Sequence, residues 1–488
     1  MHGLENIIGL LNDWLYSYVL IVLLIGLGIY FTFKIKFGQF RLIGHMLKLM
    51  TESTDGFDNK NGISPFKAFC ISAASRIGTG NIAGVAVAIA TGGPGSVFWM
   101  WVIALIGGAT SFIESTLGQI YKVKDGDTFR GGPAYYIEQA LGKRKLGVFF
   151  SILTAVTFGF IFNSVQANTI ASSFSKALGI KPLYIGIILF IVTGYVIFGG
   201  VKRIANVSAT IVPVMATIYI FIALFIMIKN ITLVPRMFGM IFSNAFGIKA
   251  AFGGTLGSAI MNGVRRGLFS NEAGMGSVPN AAATADTSHP AKQGLIQTLG
   301  VYVDTILVCS TTAFIILLSG VLNNPSSAGL EGVQLTQEAL SLQVGNWGNT
   351  FLAICILLFS YSSIIGNYYY GESNIEFIES SPGFLTVYRV LVLVMVFLGS
   401  VASFGLIWDA ADVFMGTMAV INLIVIWKLC PIAFATFNDY MTQLKAGENP
   451  VFNAKNIKGL GKVQCWNDNF NSVTKVEVPN TKNETEKF

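Results

Sequence analysis

Residues 73–84 read AASRIGTGNIAG and interrupt an apolar segment that runs from about 66 to 90. A second interruption, GLFSNEAGMG at residues 267–276, lies inside another long apolar segment. If these segments cross a membrane, each Gly-rich polar stretch leaves backbone N–H and C=O groups without helical partners. Such groups are tolerated at that depth only where they line a polar cavity or meet a ligand. The two stretches therefore indicate a ligand site in the middle of the membrane.

The composition is that of an integral membrane protein. Of 488 residues, 53% are hydrophobic and 12% are charged, and the mean hydropathy is +0.63. Charged residues usually make up about 25% of a soluble domain, so this chain lacks the charge that a water-exposed surface needs. The net charge of +7 does not indicate a nucleic-acid partner, because the basic residues lie in loops and in the tail. The five cysteines show no paired spacing, which argues against a disulfide framework or a metal site.

The apolar segments predict an all-α membrane protein with eleven transmembrane helices. About 20 residues are needed for each crossing. The first segment starts after Asp13 and has no small-residue cleavage site behind it, so we interpret it as a retained helix and not as a signal peptide. The eleven segments are roughly 14–33, 66–90, 95–121, 148–175, 182–199, 205–228, 251–284, 293–320, 348–371, 384–405 and 409–436.

The distribution of Lys and Arg predicts the orientation. Loops on one side of the predicted helices, together with the tail, hold twenty-one of these residues, and loops on the other side hold five. Positive loops stay in the cytoplasm. The sequence therefore predicts a multi-pass protein of the cell membrane with its N-terminus outside. The polar tail from about 437 is predicted to be cytoplasmic and disordered.

The order of the segments indicates an inverted repeat. Without the first helix, ten helices divide into two sets of five, and each set begins with an interrupted helix. Because five is odd, the second set must start from the opposite side of the membrane, as in many secondary transporters. The predicted organisation is an extra helix and loop (1–61), a first repeat (62–230), a second repeat (231–436) and a tail (437–488).

Four ionisable residues inside apolar segments should face inward, since each would cost about 2.5–3.5 kcal/mol or more against lipid. Arg76 is expected to pair with Glu114 or Glu272, and Glu114 to hold the broken helix. Asp304 has three open interpretations: a cation ligand, a proton carrier, or a partner for Arg265 or Arg266. These two arginines are expected near the external approach path, as a gate pair or as solvated groups. The four residues are Arg76, Glu114, Glu272 and Asp304.

Two further segments offer uncharged polar groups at depth. Residues 158–168 (FGFIFNSVQAN) place Gln166 on a helix, where an amide either joins helices or contacts a substrate. Residues 359–367 (FSYSSIIGN) offer hydroxyl groups that either bind a ligand or bond their own helix backbone.

At these motifs the chain resembles the alanine or glycine:cation symporter family. The stretch GGPGSVFWMW at 92–101 is similar to the family signature, with Ser96 where Gly or Ala is expected, and residues 75–84, 131–136 and 269–276 extend the match. The resemblance covers about 60 to 436. It implies sodium-coupled uptake of alanine or glycine. It also implies a leucine-transporter-type fold, with two inverted five-helix repeats and here one extra N-terminal helix.

The resemblance also implies a substrate site. Residues 78–81 match a Gly-x-Gly-Asn break, whose N–H groups at Thr79 and Gly80 would receive the substrate carboxylate. Carbonyl groups from Phe269 to Asn271 would meet the ammonium group, and bulky side chains would limit the size of the substrate. The implied substrate-binding residues are Thr79, Gly80, Phe162, Gln166, Phe269, Ser270, Asn271 and Met275.

Sodium is implied as the coupling ion, and no cofactor is expected. Asn81 would give a side-chain oxygen to a first sodium site, and Glu114 matches a buried carboxylate of the fold. A second site would use backbone carbonyls and two hydroxyl groups. Its residues are Ala74, Ile77, Phe359, Ser362 and Ser363. The expected partners are a small neutral amino acid, Na⁺ and the lipid bilayer.

Three other function classes compete with this reading. A proton-coupled transporter of the same fold would use Asp304 or Glu272 as its carrier. A channel would place both breaks along a pore, but the sequence has no repeat of an oligomeric filter. An intramembrane enzyme is not expected, because the sequence contains neither HExxH nor GxSxG and has no histidine beside a nucleophile at depth.

Overall fold

The described backbone is almost entirely helical in the computed structural model. The start of the predicted segment at 251–284, residues 53–61 of the predicted loop at 34–61 and the tail beyond 466 lie outside the described residues. The description covers residues 9, 12, 14–52, 62–247, 256–327, 329–330, 332–461 and 463–466.

The N-terminal region forms one apolar helix and two short ones. A π-helical turn, Leu15–Leu20, leads directly into α1 (Ile21–Lys34). The helix ends where Lys36 and Phe37 take positive φ angles of 53° and 58°. Two short helices follow, α2 (Gly38–Arg41) and α3 (Ile43–Met50).

The first set of helices begins with a broken pair. Helix α4 (Pro65–Arg76) starts behind Ser64, whose side chain accepts a hydrogen bond from the Lys67 N–H, and proline occupies its first turn. After Arg76 the chain bends by 50° and continues through a π-helical turn, Gly80–Gly84, into α5 (Val85–Gly92). The other helices of this set are α6 (Gly95–Ile120), α7 (Pro133–Leu141), α8 (Arg144–Val156), α9 (Asn163–Leu178), α10 (Pro182–Ile197) and α11 (Gly200–Lys229).

Two features of this set differ from a plain helical bundle. A π-helical turn, Thr157–Phe162, joins α8 to α9, so that they form one span. An antiparallel hairpin of β1 (Val123–Asp125) and β2 (Thr128–Arg130) follows α6, with Asp125 opposite Thr128. The mostly helical fold agrees with the predicted class, and this hairpin is an element that the sequence did not predict. Its signal is the Asp-Gly pair at 125–126, a typical tight-turn sequence, and Gly126 has a φ of 56°.

The second set also begins with a break. Helix α13 (Leu256–Asn271) ends at a turn in which Glu272, Gly274 and Gly276 all have positive φ angles. A short helix, α14 (Val278–Ala282), follows. Between the two sets lies α12 (Val234–Ala245). The other helices are α15 (Pro290–Tyr302), α16 (Ser310–Ser319), α17 (Val333–Val344), α18 (Trp347–Ile378), α19 (Pro382–Val401) and α20 (Phe404–Lys445).

Short connections complete the second set. A π-helical turn, Val303–Cys309, makes α15 and α16 one continuous span. Single 3₁₀ turns lie at Ile231–Leu233, Val321–Asn323, Pro325–Ser327 and Ala454–Asn456.

The described helices confirm a multi-pass membrane protein. Seven of them are long and apolar enough to cross a membrane, or eight if the bent pair of α4 and α5 is one span. Two shorter apolar helices, Tyr18–Lys34 and Pro182–Ile197, lie below that length. The predicted total of eleven adds these two and the second broken pair, and it stays a prediction.

Glycines bring the broken helices close to their neighbours. A Cβ atom at Gly263 in α13 would lie 2.6 Å from the Ser96 carbonyl oxygen in α6. A Cβ atom at Gly366 in α18 would lie 2.7 Å from the Ser75 nitrogen in α4. Any larger residue at these positions would push the backbones apart. Helices α6 and α18 therefore hold the two breaks at short range.

The chain after α20 packs onto the rest of the protein. The Phe452 N–H donates to the Ser288 carbonyl oxygen (2.9 Å), and the Trp466 indole N–H donates to the carbonyl oxygen of Gln119 (3.0 Å). The Tyr121 hydroxyl donates to the Leu460 carbonyl oxygen (2.8 Å). The prediction of disorder from 437 is therefore wrong for the described part of the tail, because its apolar side chains are buried instead of solvated.

Candidate substrate and cation site

The two breaks face each other. A Cβ atom at Gly80 would lie 2.9 Å from Cδ1 of Phe269 and 3.2 Å from Cα of Ser270. The first break therefore packs directly against the residues that precede the second. Both predicted interruptions are present, and their polar groups are buried.

Two N–H groups of the first break that have no helical partner donate to side-chain carbonyl oxygens. The Gly78 N–H donates to Oδ1 of Asn81 (2.9 Å), and the Thr79 N–H donates to Oε1 of Gln166 (3.0 Å). The Thr79 hydroxyl lies 2.8 Å from the Ser360 hydroxyl. The structure thus brings Thr79 and Gln166 together, as the sequence predicted. The Gln166 amide oxygen is thus the acceptor for the Thr79 N–H.

Aromatic rings cover this break. The Phe162 and Phe269 ring centres are 4.9 Å apart, and the Phe269 and Trp408 ring centres are also 4.9 Å apart. Phe162 and Phe269 are therefore beside the break, as predicted. Trp408 was not among the predicted site residues, because it falls between the predicted segments at 384–405 and 409–436.

Four of the five residues of the predicted second sodium site, Ala74, Ile77, Phe359 and Ser363, meet at the Ser363 hydroxyl group. The Ser363 hydroxyl oxygen lies 2.8 Å from the carbonyl oxygen of Ala74, 3.1 Å from that of Phe359 and 3.5 Å from that of Ile77. The Ser362 hydroxyl donates to the carbonyl oxygen of Phe359 (2.8 Å). A hydroxyl group has only one proton, so Ser363 satisfies one of its three carbonyls at a time. Such a cluster of oxygen atoms with too few protons suits a hard cation.

Asp304 is held by three donors. It accepts hydrogen bonds from Nδ2 of Asn81 (2.6 Å), from the Ser270 hydroxyl (2.8 Å) and from the Thr305 hydroxyl (2.8 Å). The Ser270 hydroxyl also lies 3.1 Å from the sulfur of Cys309. The nitrogen of the Asn81 amide faces this carboxylate, while its oxygen faces Gly78. This orientation differs from the predicted first sodium site, in which the Asn81 oxygen would face the ion.

Arg76 does not pair directly with the predicted carboxylates in the described structure. Its guanidinium group donates to Oε1 of Gln297 (2.8 Å) and to the Gln297 carbonyl oxygen (3.2 Å). Gln297 also accepts a hydrogen bond from the Ser72 hydroxyl (2.6 Å). The predicted ion pair of Arg76 with Glu114 or Glu272 is therefore wrong, because a neutral amide from α15 lies closer to the guanidinium group.

Glu114 stabilises the second break. Its two carboxylate oxygens accept the N–H groups of Gly274 (3.0 Å) and Gly276 (3.1 Å), and Oε2 also accepts from Nδ2 of Asn422 (2.8 Å). The prediction that Glu114 holds a broken helix agrees with this geometry. The contact is a set of hydrogen bonds to the backbone and not an ion pair.

Glu272 links the two breaks. The Ser75 hydroxyl of α4 donates to Oε1 (2.9 Å), and the Ser277 hydroxyl donates to Oε2 (2.5 Å). Glu272 has a φ of 57°, a conformation that ordinary residues rarely adopt. Its carboxylate contacts both Ser75 in the first broken helix and Ser277 beyond the second break.

Asn271 and Met275 have local roles in the described structure. Oδ1 of Asn271 accepts the Ala273 N–H (3.0 Å), and its amide nitrogen donates to the Thr305 hydroxyl (3.3 Å). The Met275 N–H donates to the Glu272 carbonyl oxygen (3.1 Å), and its side chain is buried within the turn. These contacts shape the second break and do not bring either side chain to Thr79.

A charged cluster lies next to the aromatic rings. The Arg266 guanidinium group pairs with Oδ2 of Asp412, and Nη1 of Arg265 lies 3.6 Å from the same oxygen. Arg266 also stacks on Trp408, 4.9 Å from the ring centre. The interpretation of Asp304 as a partner for Arg265 or Arg266 is therefore wrong. Asp412 was not predicted, although an aspartate inside an apolar segment is the signal by which the other buried charges were found.

Comparison with known proteins identifies the chain. The model of the sodium:alanine symporter family matches residues 1–454. The chain belongs to this family. The family membership confirms the resemblance found in the sequence. It makes the chain a membrane transporter that carries out sodium-coupled amino-acid symport.

Two relatives of this symporter cover nearly the whole chain. A probable sodium/glutamine symporter, GlnT, of Bacillus subtilis (strain 168) is 54% identical over 463 residues, which are 95% of this chain and 96% of that protein. A putative sodium/proton-dependent alanine carrier protein, YrbD, of the same organism is 41% identical over 481 residues, 96% and 98% of the two chains. Both are named as transport proteins and not as enzymes, in agreement with the sequence analysis.

The fold of the symporter is shared with a solved transporter. A Na⁺-coupled sialic acid symporter in a substrate-bound outward-open state has a TM-score of 0.50 and 15% sequence identity, and the match covers 83% of this chain and 86% of that one. At this identity the comparison concerns the fold alone. The leucine-transporter-type architecture expected from the sequence is consistent with it.

Proposed function

We propose that the protein takes up alanine or glycine together with Na⁺ by alternating access. One observation carries this proposal: a cluster of carbonyl and hydroxyl oxygens lies at the same helix break as the N–H groups of Thr79 and Gly80. An amino acid presents a carboxylate and an ammonium group, and one broken helix offers groups for the anion and for a coupling cation.

The substrate carboxylate is assigned to the first break. The Thr79 N–H already donates to an amide oxygen of Gln166, and both residues are buried. A carboxylate oxygen accepts a stronger hydrogen bond than a neutral amide does, so the substrate replaces Gln166 at this position. The carbonyl groups between Phe269 and Asn271 are assigned to the ammonium group, because Phe269 and Ser270 lie against Gly80.

The sodium ion is assigned to the cluster around Ser363. The ion replaces the hydroxyl protons of Ser362 and Ser363 as the partner of the Ala74, Ile77 and Phe359 carbonyls, and the two hydroxyl oxygens become further ligands. Binding there ties α4 to α18 and orders the break that receives the carboxylate. Sodium thus raises the affinity for substrate, and the substrate must raise the affinity for sodium by the same factor. A first sodium site at Asn81 stays a prediction that requires its amide to turn.

The proposed architecture has eleven spans. The set from α4 to α11 and the set from α13 to α20 form two inverted five-helix repeats, and α1 is the extra helix. Each set starts with a break, and each has a short helix, α7 or α17, between its second and third spans. The N-terminus is assigned to the outside and the tail to the cytoplasm on the basis of the charge bias.

Alternating access requires a closure on each side of the site. The pair of Arg266 and Asp412, which lies beyond the aromatic rings, is assigned as the outer gate. On the opposite side, Ile63 before α4 forms a parallel bridge with Ala285 after α14. The Asp286 N–H donates to the Ile63 carbonyl oxygen (2.9 Å) in that bridge. Opening one closure while the other is intact moves the site from one side of the membrane to the other.

The rings beside the break favour a small side chain. Phe162, Phe269 and Trp408 lie in contact, and Phe269 already approaches Gly80 within van der Waals distance. Alanine or glycine fits with little movement of these rings. Glutamine, the substrate in the name of one relative, requires Phe269 or Trp408 to swing away.

Uptake into liposomes tests the function. Purified protein is given labelled alanine with an inward sodium gradient, with potassium in place of sodium, and with unlabelled glycine, glutamine or leucine as competitors. We expect uptake only with sodium, and competition by glycine above that by glutamine. Equal accumulation with and without the sodium gradient contradicts the coupling, and stronger competition by glutamine than by glycine contradicts the assigned substrate.

Proton coupling is a second candidate, because hydroxyl groups and amides, rather than cations, hold the carboxylates of Glu272 and Asp304. Such carboxylates can take up a proton without breaking an ion pair. A pH gradient that drives uptake in sodium-free medium, and an Asp304→Asn variant that abolishes this uptake, would favour it. If uptake depends on sodium alone in the wild-type protein and in the Asp304→Asn variant, proton coupling is excluded.

A further inference from the structure

The N-terminal helix contacts one face of α20 at the outer gate. Asn12 Nδ2 donates to the Asp409 carbonyl oxygen (3.2 Å), and the Tyr16 hydroxyl donates to the Asp412 carbonyl oxygen (3.0 Å). A Cβ atom at Gly416 would overlap a methyl carbon of Leu15. Positions 409, 412 and 416 are spaced by three and four residues and share one helix face. The contact is therefore continuous over two turns of α20.

Tyr16 touches both sides of the gate. Its side chain is fully buried, with 0% of its surface exposed. The hydroxyl binds the backbone of Asp412 on α20, and the Arg265 guanidinium carbon on α13 lies 4.5 Å from the ring centre. A ring face attracts a guanidinium group at this distance. One side chain thus joins the carboxylate helix to the arginine helix.

The charged groups of the gate are incompletely paired with one another. Arg265 and Arg266 share a single carboxylate oxygen of Asp412, and each guanidinium group also lies against an aromatic ring, Tyr16 or Trp408. Among the described residues, Nε of Arg266 and Oδ1 of Asp412 have no hydrogen-bond partner. Since buried polar groups without partners are costly, the ion pair alone does not offset the full cost of burying these charges.

We infer that Tyr16 is a positioning residue for the outer gate, and that the extra N-terminal helix is the element that brings it there. This inference rests on the proposed function, because it takes the Arg266–Asp412 pair as a gate. It gives the helix outside the two repeats a role in the transport cycle: it stabilises the outward-closed state.

A cysteine reporter measures the closure directly. A Cβ atom at Gly84 would lie 3.8 Å from Trp408 and 3.9 Å from the Arg266 side chain, which is ordinary van der Waals contact. Gly84→Cys in a variant without the five native cysteines therefore places a thiol at the gate. Its rate of reaction with a membrane-impermeant alkylating reagent, added outside proteoliposomes, reports how often the gate opens.

Two substitutions of Tyr16 separate its contacts. Tyr16→Phe keeps the ring under Arg265 and loses the hydrogen bond, so we expect alkylation about threefold faster. Tyr16→Leu loses both contacts, so we expect alkylation about tenfold faster. The matched control is Tyr18→Leu on the same helix, where the side chain is 74% exposed, and it should leave the rate unchanged.

Kinetics distinguish positioning from mere loss of stability. If Tyr16 favours closure, Tyr16→Phe and Tyr16→Leu lower kcat for sodium-driven alanine uptake without raising KM for external alanine, because the outward-open state becomes more populated. Equal alkylation rates in the Tyr16 variants and the Tyr18→Leu control overturn the inference, even if uptake is sodium-driven. Faster alkylation in a protein without sodium-driven uptake upholds the positioning role and overturns the proposed coupling instead. If Tyr16→Leu does not fold, the alkylation rate and the uptake kinetics of Tyr16→Phe test the inference on their own.

Discussion

Replacement of Ser363 by alanine should change the sodium dependence of uptake more than any other property. The Ser363 oxygen lies within 3.5 Å of three carbonyl oxygens, those of Ala74, Ile77 and Phe359. Ser363→Ala leaves these carbonyls in place and removes one hydroxyl ligand of the ion. The alanine side chain is smaller, so the helices need not move.

The expected magnitude follows from the interaction that is lost. A hydrogen-bonding group that contacts a charge contributes about 1.5–3 kcal/mol. Since about 1.4 kcal/mol corresponds to a factor of ten, the sodium concentration for half-maximal uptake should rise about 10- to 100-fold. Because coupling is reciprocal, KM for alanine should rise at low sodium and return to its normal value when sodium saturates.

The assay is initial-rate uptake of labelled alanine into proteoliposomes over a matrix of sodium and alanine concentrations. Ser400→Ala is the matched control, because Ser400 is also buried in a membrane helix but its hydroxyl donates to its own helix, at the Phe397 carbonyl oxygen (2.7 Å). A shift of less than about threefold in the sodium half-saturation of Ser363→Ala would refute the assigned cation site. So would an alanine KM that rises equally at every sodium concentration.

Three further predictions address the break, its support and the cytoplasmic side. Gly80→Val should abolish alanine binding, because even a Cβ atom at this position would lie 2.9 Å from Phe269. Thr79→Ala should retain much of the binding, because the backbone N–H that receives the carboxylate is still present. Equilibrium binding of alanine to the purified variants measures both effects, and equal affinities of the two variants would contradict the backbone assignment. Glu114→Gln replaces one acceptor oxygen with a donor and leaves a backbone N–H unsatisfied, so the free energy of unfolding should fall by about 1–3 kcal/mol, seen as a lower midpoint of thermal unfolding in detergent. Burial lowers the pKa of His289, although the nearby Asp439 acts to raise it, so the folded protein favours the neutral imidazole. The free energy of unfolding should therefore fall as the pH drops below about 6.5, where the histidine of the unfolded chain takes up a proton. In His289→Gln the midpoint of thermal unfolding should depend less on pH between pH 5 and 8, and an unchanged dependence would exclude this residue as the cause.

The sequence predicted the breaks because their signal is local. Glycine and polar residues clustered in the middle of an apolar segment are costly in lipid unless they line a cavity, and both interruptions appear in the described structure. The oxygen cluster around Ser363 was also placed, although its residues come from α4 and α18, because the family resemblance supplied the spatial relation that spacing alone could not.

The pairing of buried charges was predicted poorly, since it depends on packing between distant helices. Arg76 binds the amide of Gln297, and Arg266 binds Asp412; these partners are 221 and 146 residues away. Nothing in the local sequence distinguishes Gln297 from other polar residues of α15. Asp412 was detectable, because its position in an apolar segment is the same signal that identified Asp304.

The tail and the hairpin escape sequence-based prediction for different reasons. The hairpin has a clear Asp-Gly turn, but its strands are only three residues long and are hard to tell from a loop. The tail from 446 to 466 is rich in polar residues and resembles a disordered segment. Its few apolar residues, among them Phe452 and Trp466, bury themselves against other elements, which only the fold can show.

The docked tail has a consequence for how the protein is made. Residues 450–466 leave the ribosome after every apolar helix, so their hydrogen bonds to Ser288, Gln119 and Tyr121 can form only once translation has passed the last span. During synthesis the newly inserted helices therefore lack these contacts at the end of α6 and just before α15. A chain terminated before residue 450 would have all its apolar helices and yet lack these hydrogen bonds on that face.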